Sequence, residues 1–191
     1  MQDDLERELI RKCRAGKTRF YEPLVRAYEP SGLRFAFALL GNINDAQDAL
    51  QEAFIKAYRS LPQFDLEKSF SSWFFQILRN QCRDMLRNRK SHVRLEELNQ
   101  EDLKITANIE AGPERDRQRN ATAEQLWKGL RRIGEEHREI LILKELEGFR
   151  YTELASILNI PEGTVASRLY HARRALREIL LGLRVETEHE S

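Results

Sequence analysis

Cysteine is scarce in this sequence, and its two cysteines form no recognisable motif. Cys13 and Cys82 lie far apart. They lack the CxxC or Cys/His spacing of a zinc site, and one isolated pair does not make a disulfide framework. We therefore expect neither a structural disulfide nor a metal site, as is usual for proteins of a reducing compartment.

Long apolar runs are also missing. No stretch approaches the roughly 18 consecutive apolar residues that cross a bilayer. The N-terminal segment MQDDLERELIRKC is acidic and amphipathic, whereas a signal peptide has a basic segment followed by an apolar one. These features predict a cytoplasmic protein without a signal peptide or a membrane span.

Motifs that would support catalysis are absent from the sequence. The four histidines, at positions 92, 137, 171 and 189, have no nucleophile or carboxylate at ligand spacing. There is also no glycine-rich loop of the kind that binds phosphates. The sequence therefore favours a protein that is not an enzyme and that binds no cofactor and no metal.

Glycine and proline interrupt the chain only rarely, with nine and five residues among 191. Most of the remaining segments are rich in Leu, Ala, Glu, Arg and Gln, which favour helices. The length permits two small domains, each with enough apolar residues for its own core. We therefore expect an all-α fold of two small helical domains.

The net charge of +1 conceals a strongly uneven distribution of charge. Residues 79–94 contain six basic residues and one acidic residue, and residues 168–177 contain four arginines and no acid. Between them, acids outnumber bases eight to four in residues 95–125. Two basic patches separated by an acidic spacer suggest two contacts with a polyanion. The alternative is that each charge run only solvates a helix face.

Apolar residues recur at helical spacing through the N-terminal part of the chain. Residues 5–40 predict two amphipathic helices, and Asn44 is a suitable N-cap for a third helix, which ends at Leu61-Pro62. A fourth helix is predicted from about Phe70 to Arg89. Its apolar stripe comprises Phe70, Trp73, Phe74, Ile77, Leu78, Cys82, Met85 and Leu86. The opposite stripe, which is suited to nucleic acid, comprises Gln76, Arg79, Asn80, Arg83 and Arg87.

The C-terminal part begins after a predicted flexible linker. Residues 91–122 carry few large apolar side chains and include Gly112-Pro113. Helical periodicity resumes at 123–182, where YTELASIL, a break at Asn159-Ile160-Pro161 and EGTVASRLYHARRALREILL predict a helix-turn-helix. The acidic tail, residues 183–191, is expected to be disordered.

A helix-turn-helix places its second helix in the major groove of DNA, where N-terminal residues of that helix meet base edges. The candidates for such contacts are Thr164, Ala166, Ser167, Tyr170, His171 and Arg174. The arginines better placed for phosphates are Arg168, Arg173 and Arg177. The alternative is a plain helical hairpin whose arginines are only solvated.

Two blocks of the sequence resemble one family. The run EEHREILILKELEGFRYTELASILNIPEGTVASRLYHARRAL resembles region four of bacterial sigma factors of the extracytoplasmic-function (ECF) group. DAQDALQEAFIKAYRSLPQF followed by SFSSWFFQILRNQCRDMLRNRK resembles their region two. The resemblance implies region two at 1–90, a linker at 91–122 and region four at 123–182. It also implies a factor that binds core RNA polymerase, recognises the minus-10 and minus-35 promoter elements and helps to melt DNA.

The partners implied by this resemblance are the clamp coiled coil and flap of core RNA polymerase, promoter DNA and an anti-sigma factor. The residues expected to dock on the clamp coiled coil are Asp45, Asp48, Gln51, Glu52 and Lys56. For Asp45 and Asp48 the alternative is that they only complement the positive end of a helix.

The resemblance further implies a surface that opens the minus-10 element and holds an extruded base. The residues expected there are Phe64, Asp65, Ser69, Gln76, Arg79, Asn80, Arg83 and Arg87. Phe64 would form an apolar wall, Asn80 would contact the base edge, and the arginines would bind phosphates. The alternative for Phe64 is that it caps the hydrophobic core, and Trp73 has the spacing of a core residue.

The residues predicted to recognise the minus-35 element are Thr164, Ser167, Arg168, Tyr170, His171, Arg173 and Arg174. Here the sequence departs from the family pattern, because Ala166 and His171 stand where members often carry arginine. Each lost bidentate contact to guanine removes roughly 1–3 kcal/mol of discrimination. We therefore hypothesise that the minus-35 preference differs from that of the better-known members.

Two other classes of protein are compatible with parts of the sequence. A ligand-sensing regulator would use the helix-turn-helix at operators and would not need polymerase. A helical-bundle enzyme would have a pocket with convergent carboxylates or histidines. The basic stripe beside an aromatic loop argues against the first, and the absence of convergent catalytic residues argues against the second.

Overall fold

The computed structural model describes residues 2–92 and 117–189, and the regular elements in these two ranges are all helical. The prediction of an all-α fold is therefore confirmed. The N-terminal half contains α1 (Gln2–Arg14), α2 (Glu22–Leu40), α3 (Ile43–Ser60) and α4 (Phe70–His92). The C-terminal half contains α5 (Arg117–Arg132), α6 (Glu135–Leu141), a π-helical turn (Ile142–Leu146), α7 (Tyr151–Leu158) and α8 (Glu162–His189). No helix in these ranges is both long and apolar enough to span a membrane.

Helix α3 begins at Ile43 because Asn42 is its N-cap. The backbone of Asn42 is extended, and its side-chain Oδ1 accepts hydrogen bonds from the backbone N–H groups of Asn44, at 2.9 Å, and Asp45, at 3.1 Å. The prediction of Asn44 as the cap was wrong. Gly41 ends α2 in a left-handed conformation with φ 74°, which leaves Asn42 as the residue that precedes the first turn.

Aromatic rings from three helices meet at the centre of the N-terminal half. Phe74 of α4 is fully buried and stacks on Phe54 of α3, with ring centroids 4.5 Å apart. Its ring also lies 5.8 Å from that of Tyr28 in α2. The predicted stripe of α4 is buried at Phe70, Phe74, Leu78 and Cys82 and partly buried at Trp73, Ile77, Met85 and Leu86. Helical spacing thus identified this core face correctly.

The turn between α7 and α8 depends on Asn159. This residue adopts the left-handed conformation, with φ 54°, which Asn tolerates better than most residues. The N–H of Ile160 then bonds to the carbonyl of Ala155 at 3.1 Å and closes the end of α7. Leu154 and Leu169, one from each helix, are fully buried beside the turn. The predicted helix-turn-helix is therefore present, and its second helix is α8.

Two boundaries differ from the sequence predictions. Helix α8 continues to His189, so the expectation of disorder from residue 183 onward was wrong as far as that residue. Leu183, the first residue of the predicted tail, is buried. Helix α5 begins at Arg117, inside the predicted linker at 91–122, and residues 93–116 of that linker lie outside the described residues.

Aromatic contacts join the two halves of the molecule. Phe75 of α4 meets Phe149, which precedes α7, with ring centroids 5.0 Å apart in an edge-on arrangement. Phe37 of α2 meets Trp127 of α5 at 6.3 Å, also edge-on. All four side chains are at most 7% exposed. The halves therefore share an apolar interface.

Arg138 of α6 forms a polar link across the same interface. Its guanidinium donates hydrogen bonds to the carbonyl oxygens of Ala38, at 3.2 Å, and Leu39, at 3.4 Å. These carbonyls lie in the last turn of α2, where a helix leaves carbonyl groups without intrahelical partners. A cation at this position also complements the negative end of the helix.

We expect Phe74→Ala to lower the free energy of unfolding by about 3–5 kcal/mol, because it leaves a cavity where a fully buried ring stood. Urea denaturation followed by circular dichroism measures this change. Leu5→Ala is the control, since Leu5 is 58% exposed and its loss should cost less than about 0.5 kcal/mol. Equal losses in the two variants would contradict the central position of Phe74 in the core.

Candidate nucleic-acid interface

The first turns of α8 present a polar and aromatic face to solvent. Val165 and Leu169 anchor the opposite side of these turns, and both are fully buried. Tyr170 is 62% exposed, and its ring lies beside that of His171, with centroids 5.3 Å apart. The predicted residues for base contacts on this face are exposed at Ser167, Tyr170 and His171 and half-buried at Thr164. This face is open to a DNA groove.

Three of the α8 arginines predicted to contact DNA each contact a carboxylate: Arg168 and Arg173, predicted for phosphates, and Arg174, predicted for a base contact. The nitrogen–oxygen distances are 3.4 Å for Arg168–Glu136, 2.6 Å for Arg173–Glu145 and 2.9 Å for Arg174–Glu178. The hydrogen bond from Arg173 to Glu145 raises the pKa of Arg173, which therefore stays charged. Both members of the last two pairs are half-exposed or more. Such pairs contribute little stability, and DNA phosphates can replace the carboxylates.

The loop between α3 and α4 places Phe64 in the core. Phe64 is 5% exposed, and its ring lies 5.8 Å from that of Phe70 and 4.7 Å from that of Trp73. In this conformation Phe64 caps the hydrophobic core, which was the alternative reading of its role. Trp73 is partly buried against the same core.

The polar residues of this loop shape its backbone. Asp65 is exposed, and its Oδ1 accepts a hydrogen bond from the N–H of Glu67 at 3.0 Å. Ser69 precedes α4, and its Oγ accepts a hydrogen bond from the N–H of Ser72 at 3.3 Å. Both side chains therefore stabilise local turns while remaining at the surface.

Further along α4, several predicted residues surround a cavity of about 620 Å³. The α4 residues that line it are Asn80, Arg83, Asp84, Leu86 and Arg87. Asn80 and Arg87 are exposed, and Gln76 is half-buried one turn away. Glu135 of α6 closes the cavity from the C-terminal half. The structure thus brings the base-edge candidate and two phosphate candidates together, with a carboxylate opposite them.

Arg79 is buried at the interface between the two halves. It is 5% exposed, and its Nε donates a hydrogen bond to Oε2 of Glu139 in α6 at 2.9 Å. Glu139 has no exposed surface. Glu139 was not among the predicted residues, although a carboxylate beside the apolar run ILIL was a possible signal.

Arg83 extends this contact toward the surface. Its Nε lies 3.3 Å from Oε1 of Glu135 and 3.7 Å from Oε1 of Glu139. Burial raises the pKa of the Glu139 carboxyl, and the guanidinium groups of Arg79 and Arg83 partly offset that rise. The geometry is that of a carboxylate held between two guanidinium groups.

The predicted polymerase-binding residues lie on α3. Asp48, Gln51 and Lys56 are exposed, and Glu52 is half-buried. Lys56 donates a hydrogen bond to the side chain of Gln81 in α4. Asp45 is half-buried and forms an ion pair with Arg89 of α4, so it contributes to packing between α3 and α4 as well as to the start of α3.

An open groove of about 900 Å³ runs between α2 and α3 beside these residues. Gln51 lines it together with the partly exposed apolar side chains Val25, Leu33, Ile55 and Tyr58. A groove with this lining accepts an apolar side chain of a partner helix. The candidate polymerase surface is therefore partly apolar as well as acidic.

Comparison with known proteins gives matches in both halves. The sigma-70 region 2 model matches residues 24–92, and the sigma-70 region 4 model matches residues 123–176. The ECF RNA polymerase sigma factor SigW of Bacillus subtilis (strain 168) is 30% identical over 179 residues, which cover 91% of this chain and 96% of SigW.

Two solved structures share the fold. CnrH, in complex with the cytosolic domain of CnrY, matches with a TM-score of 0.70 and 23% identity over 94% of this chain and 99% of CnrH. The sigma factor RpoE of Bartonella quintana, in complex with the anti-sigma factor NepR, matches with a TM-score of 0.65 and 23% identity over 84% of this chain and 96% of RpoE. With two sigma-70 regions in their usual order and a relative matched over nearly its whole length, the chain belongs to the family of ECF RNA polymerase sigma factors.

Proposed function

We propose that this chain binds core RNA polymerase and directs it to promoters by recognising a minus-10 element with α4 and a minus-35 element with α8. The observation that supports this most strongly is that each matched sigma-70 region contains one of the two basic helices. The exposed aromatic and polar face of α8 suits base edges in a major groove. On α4, the amide of Asn80 suits the edge of an unpaired base, and the guanidinium groups of Arg83 and Arg87 suit its phosphates.

We infer that the protein has no catalytic activity and acts in the cytoplasm, where RNA polymerase works. Phosphodiester synthesis belongs to the polymerase in this scheme. The chain contributes binding free energy, and capture of unstacked bases at α4 favours the melted promoter. Its direct contacts with polymerase are the clamp coiled coil, through α3, and the flap, through the C-terminal half.

We also infer that an anti-sigma factor restrains this chain. The similar sigma factor RpoE was solved in complex with the anti-sigma factor NepR. The apolar groove between α2 and α3 is open in the free chain. An inhibitor that fills it would compete directly with polymerase for α3.

Run-off transcription with core polymerase, with and without this protein, tests the proposed function. We expect specific transcripts only when the protein is present. A gel-shift with the isolated protein on the same promoter distinguishes the regulator alternative. Strong promoter binding without polymerase, together with no stimulated initiation, would refute the role of a sigma factor.

We expect Asp48→Asn to weaken binding of core polymerase by about five- to tenfold, a loss of roughly 1 kcal/mol for one exposed interfacial charge. Surface plasmon resonance with immobilised core polymerase measures this change. Asp4→Asn in α1 is the control, because Asp4 is also exposed but lies outside the proposed surface. Equal affinities of the two variants for core polymerase would show that Asp48 does not contribute to this interface.

We expect Asn80→Ala to weaken binding of single-stranded minus-10 DNA by the polymerase complex by about fivefold, since one hydrogen bond contributes roughly 1 kcal/mol. Fluorescence anisotropy with a labelled non-template strand measures this loss. Asn88→Ala is the matched control, because Asn88 is also exposed on α4 but does not line the cavity. Both variants should keep the duplex minus-35 affinity of the wild type. A loss in both assays for Asn80→Ala would indicate a general structural defect.

We expect His171→Ala to change the preferred base at one position of the minus-35 element. A base contact in the major groove contributes roughly 1–3 kcal/mol of discrimination. Binding-site selection with the wild type and the variant, each in complex with polymerase, identifies the preferred base. Leu181→Ala, an exposed position farther along α8, serves as the control. An ordinary family sequence selected by both the wild type and His171→Ala would refute the hypothesis of an altered preference.

A further inference from the structure

Helix α1 is an element of the N-terminal half that the match to sigma-70 region 2 leaves out. That match begins at residue 24, whereas α1 covers Gln2–Arg14. The helix is nevertheless packed against the rest of this half, since Ile10 and Cys13 are buried. Glu6 accepts a hydrogen bond of 2.6 Å from the hydroxyl group of Tyr28 in α2. Contacts with the core therefore fix the position of α1.

The C-terminal end of α1 is equally well defined. Gly16 adopts a left-handed conformation, with φ 80°. The N–H of Gly16 bonds to the carbonyl of Cys13 at 3.0 Å. The N–H of Lys17 bonds to the carbonyl of Lys12 at 3.1 Å. This pair of bonds is the Schellman arrangement that closes many helices. Arg14 is the last residue of α1, so its side chain projects from a backbone that is held in place.

The guanidinium group of Arg14 bridges two carbonyl groups at the start of the loop between α3 and α4. Its Nε donates a hydrogen bond to the carbonyl oxygen of Leu61 at 2.8 Å, and a terminal nitrogen donates to that of Phe64. These two carbonyls flank the 3-10 turn Leu61–Gln63, where the N–H of Phe64 also bonds to the Leu61 carbonyl at 3.2 Å. One planar cation therefore holds both ends of the turn from which the loop departs.

The contacts of Arg14 reach farther along the chain than the other polar contacts of this loop. Asp65 and Ser69 bind backbone groups two and three residues away, so they shape the loop internally. Arg14 is separated from Leu61 and Phe64 by 47 and 50 residues. It therefore ties the loop to a helix outside the pair α3 and α4.

The loop that Arg14 holds contains three of the residues predicted to act on the minus-10 element, namely Phe64, Asp65 and Ser69. Recognition of a base requires its contact groups to be placed within about 0.5 Å. A loop that is ordered beforehand also loses less entropy when it binds. Arg14 is itself exposed, and water can satisfy the two carbonyl groups in its absence. Loss of this side chain should therefore loosen the loop without unfolding the protein.

We propose that Arg14 is a positioning residue for minus-10 recognition, which fixes the loop at 61–69 in the arrangement that selects the extruded base. The proposal rests on the proposed function, because it assumes that this loop meets the minus-10 strand. Arg14 acts through the backbone of the loop and does not itself contact the base. It therefore contributes to base selectivity, whereas an arginine that binds a phosphate contributes equally to every sequence.

Hydrogen–deuterium exchange of the full-length chain without DNA tests the effect of Arg14 on the loop. The backbone N–H groups of Phe64 and Lys68 form hydrogen bonds within the loop, so their exchange measures its order. We expect Arg14→Met, which keeps the length of the side chain but removes its donors, to raise exchange at 61–69 by about three- to tenfold. Arg11→Met is the matched control, because Arg11 is also exposed in the last turn of α1. Its exchange should equal that of the wild type.

Binding of single-stranded DNA by the complex with core polymerase tests the effect on base selectivity. The probes are the labelled non-template minus-10 strand of a promoter that gives a run-off transcript and a series of strands that each lack one base. Fluorescence anisotropy gives the ratio of affinities for the intact and abasic strands, and the largest ratio in the wild type identifies the base that contributes most. For Arg14→Met we expect this ratio to fall by about three- to tenfold, through loss of affinity for the intact strand. Arg11→Met should keep the ratio of the wild type, and both variants should keep its duplex minus-35 affinity.

A third variant, Arg14→Lys, separates positioning from charge. Lysine keeps the positive charge but lacks the planar fork that reaches both carbonyl groups. We expect an exchange rate and an affinity ratio between those of the wild type and Arg14→Met. Equal weakening of intact and abasic strands by Arg14→Met, with full recovery in Arg14→Lys, would overturn the proposal in favour of a phosphate contact. If Arg14→Met loses its helical circular dichroism, Arg14→Lys is compared with the wild type in its place.

The outcomes separate the role of Arg14 from the proposed function. Unchanged exchange in the loop would overturn the positioning role, and so would faster exchange with unchanged base selectivity. Both results leave the sigma-factor role intact, provided that the wild-type complex gives transcripts and distinguishes intact from abasic strands. A wild-type complex that distinguishes no base of the strand would instead contradict minus-10 recognition, and the positioning role with it.

Discussion

The buried contact between Arg79 and Glu139 fixes how the two halves of this protein meet. Each charge is out of water and needs the other, so a shift of α6 along α4 would leave both uncompensated in a medium of low polarity. Apolar contacts such as that of Phe75 with Phe149 supply area, but they tolerate sliding more readily. The ion pair therefore fixes the position of α6 along α4. The aromatic contacts supply the apolar area that holds the two halves together.

The local structure was largely predictable because it depends on neighbouring residues. The spacing of Phe70, Phe74 and Leu78 identified the core face of α4, and a break at Asn159 identified the turn before α8. Even here the cap of α3 was misassigned. Two asparagines lie two residues apart, and the choice of Asn42 depends on where Gly41 ends the preceding helix.

The contacts between the halves were not predictable in the same way. Periodicity separates an apolar stripe from a polar one on a single helix, but it does not indicate that a distant segment covers the polar stripe. Arg79 and Arg173 were both predicted to face DNA, and one is buried while the other is exposed.

The unequal exposure of the two basic faces bears on how such a protein avoids DNA when it is alone. An exposed cluster of arginines binds any polyanion through release of counterions, without regard to sequence. On α8 surface carboxylates such as Glu145 pair with the arginines, and exposed pairs of this kind contribute little stability. On α4 the carboxylate of Glu139 is buried together with Arg79. Another anion could reach Arg79 only if the C-terminal half moved away from α4. The guanidinium of Arg173 on α8 is therefore half-exposed to solvent, whereas that of Arg79 on α4 becomes exposed only when the two halves separate.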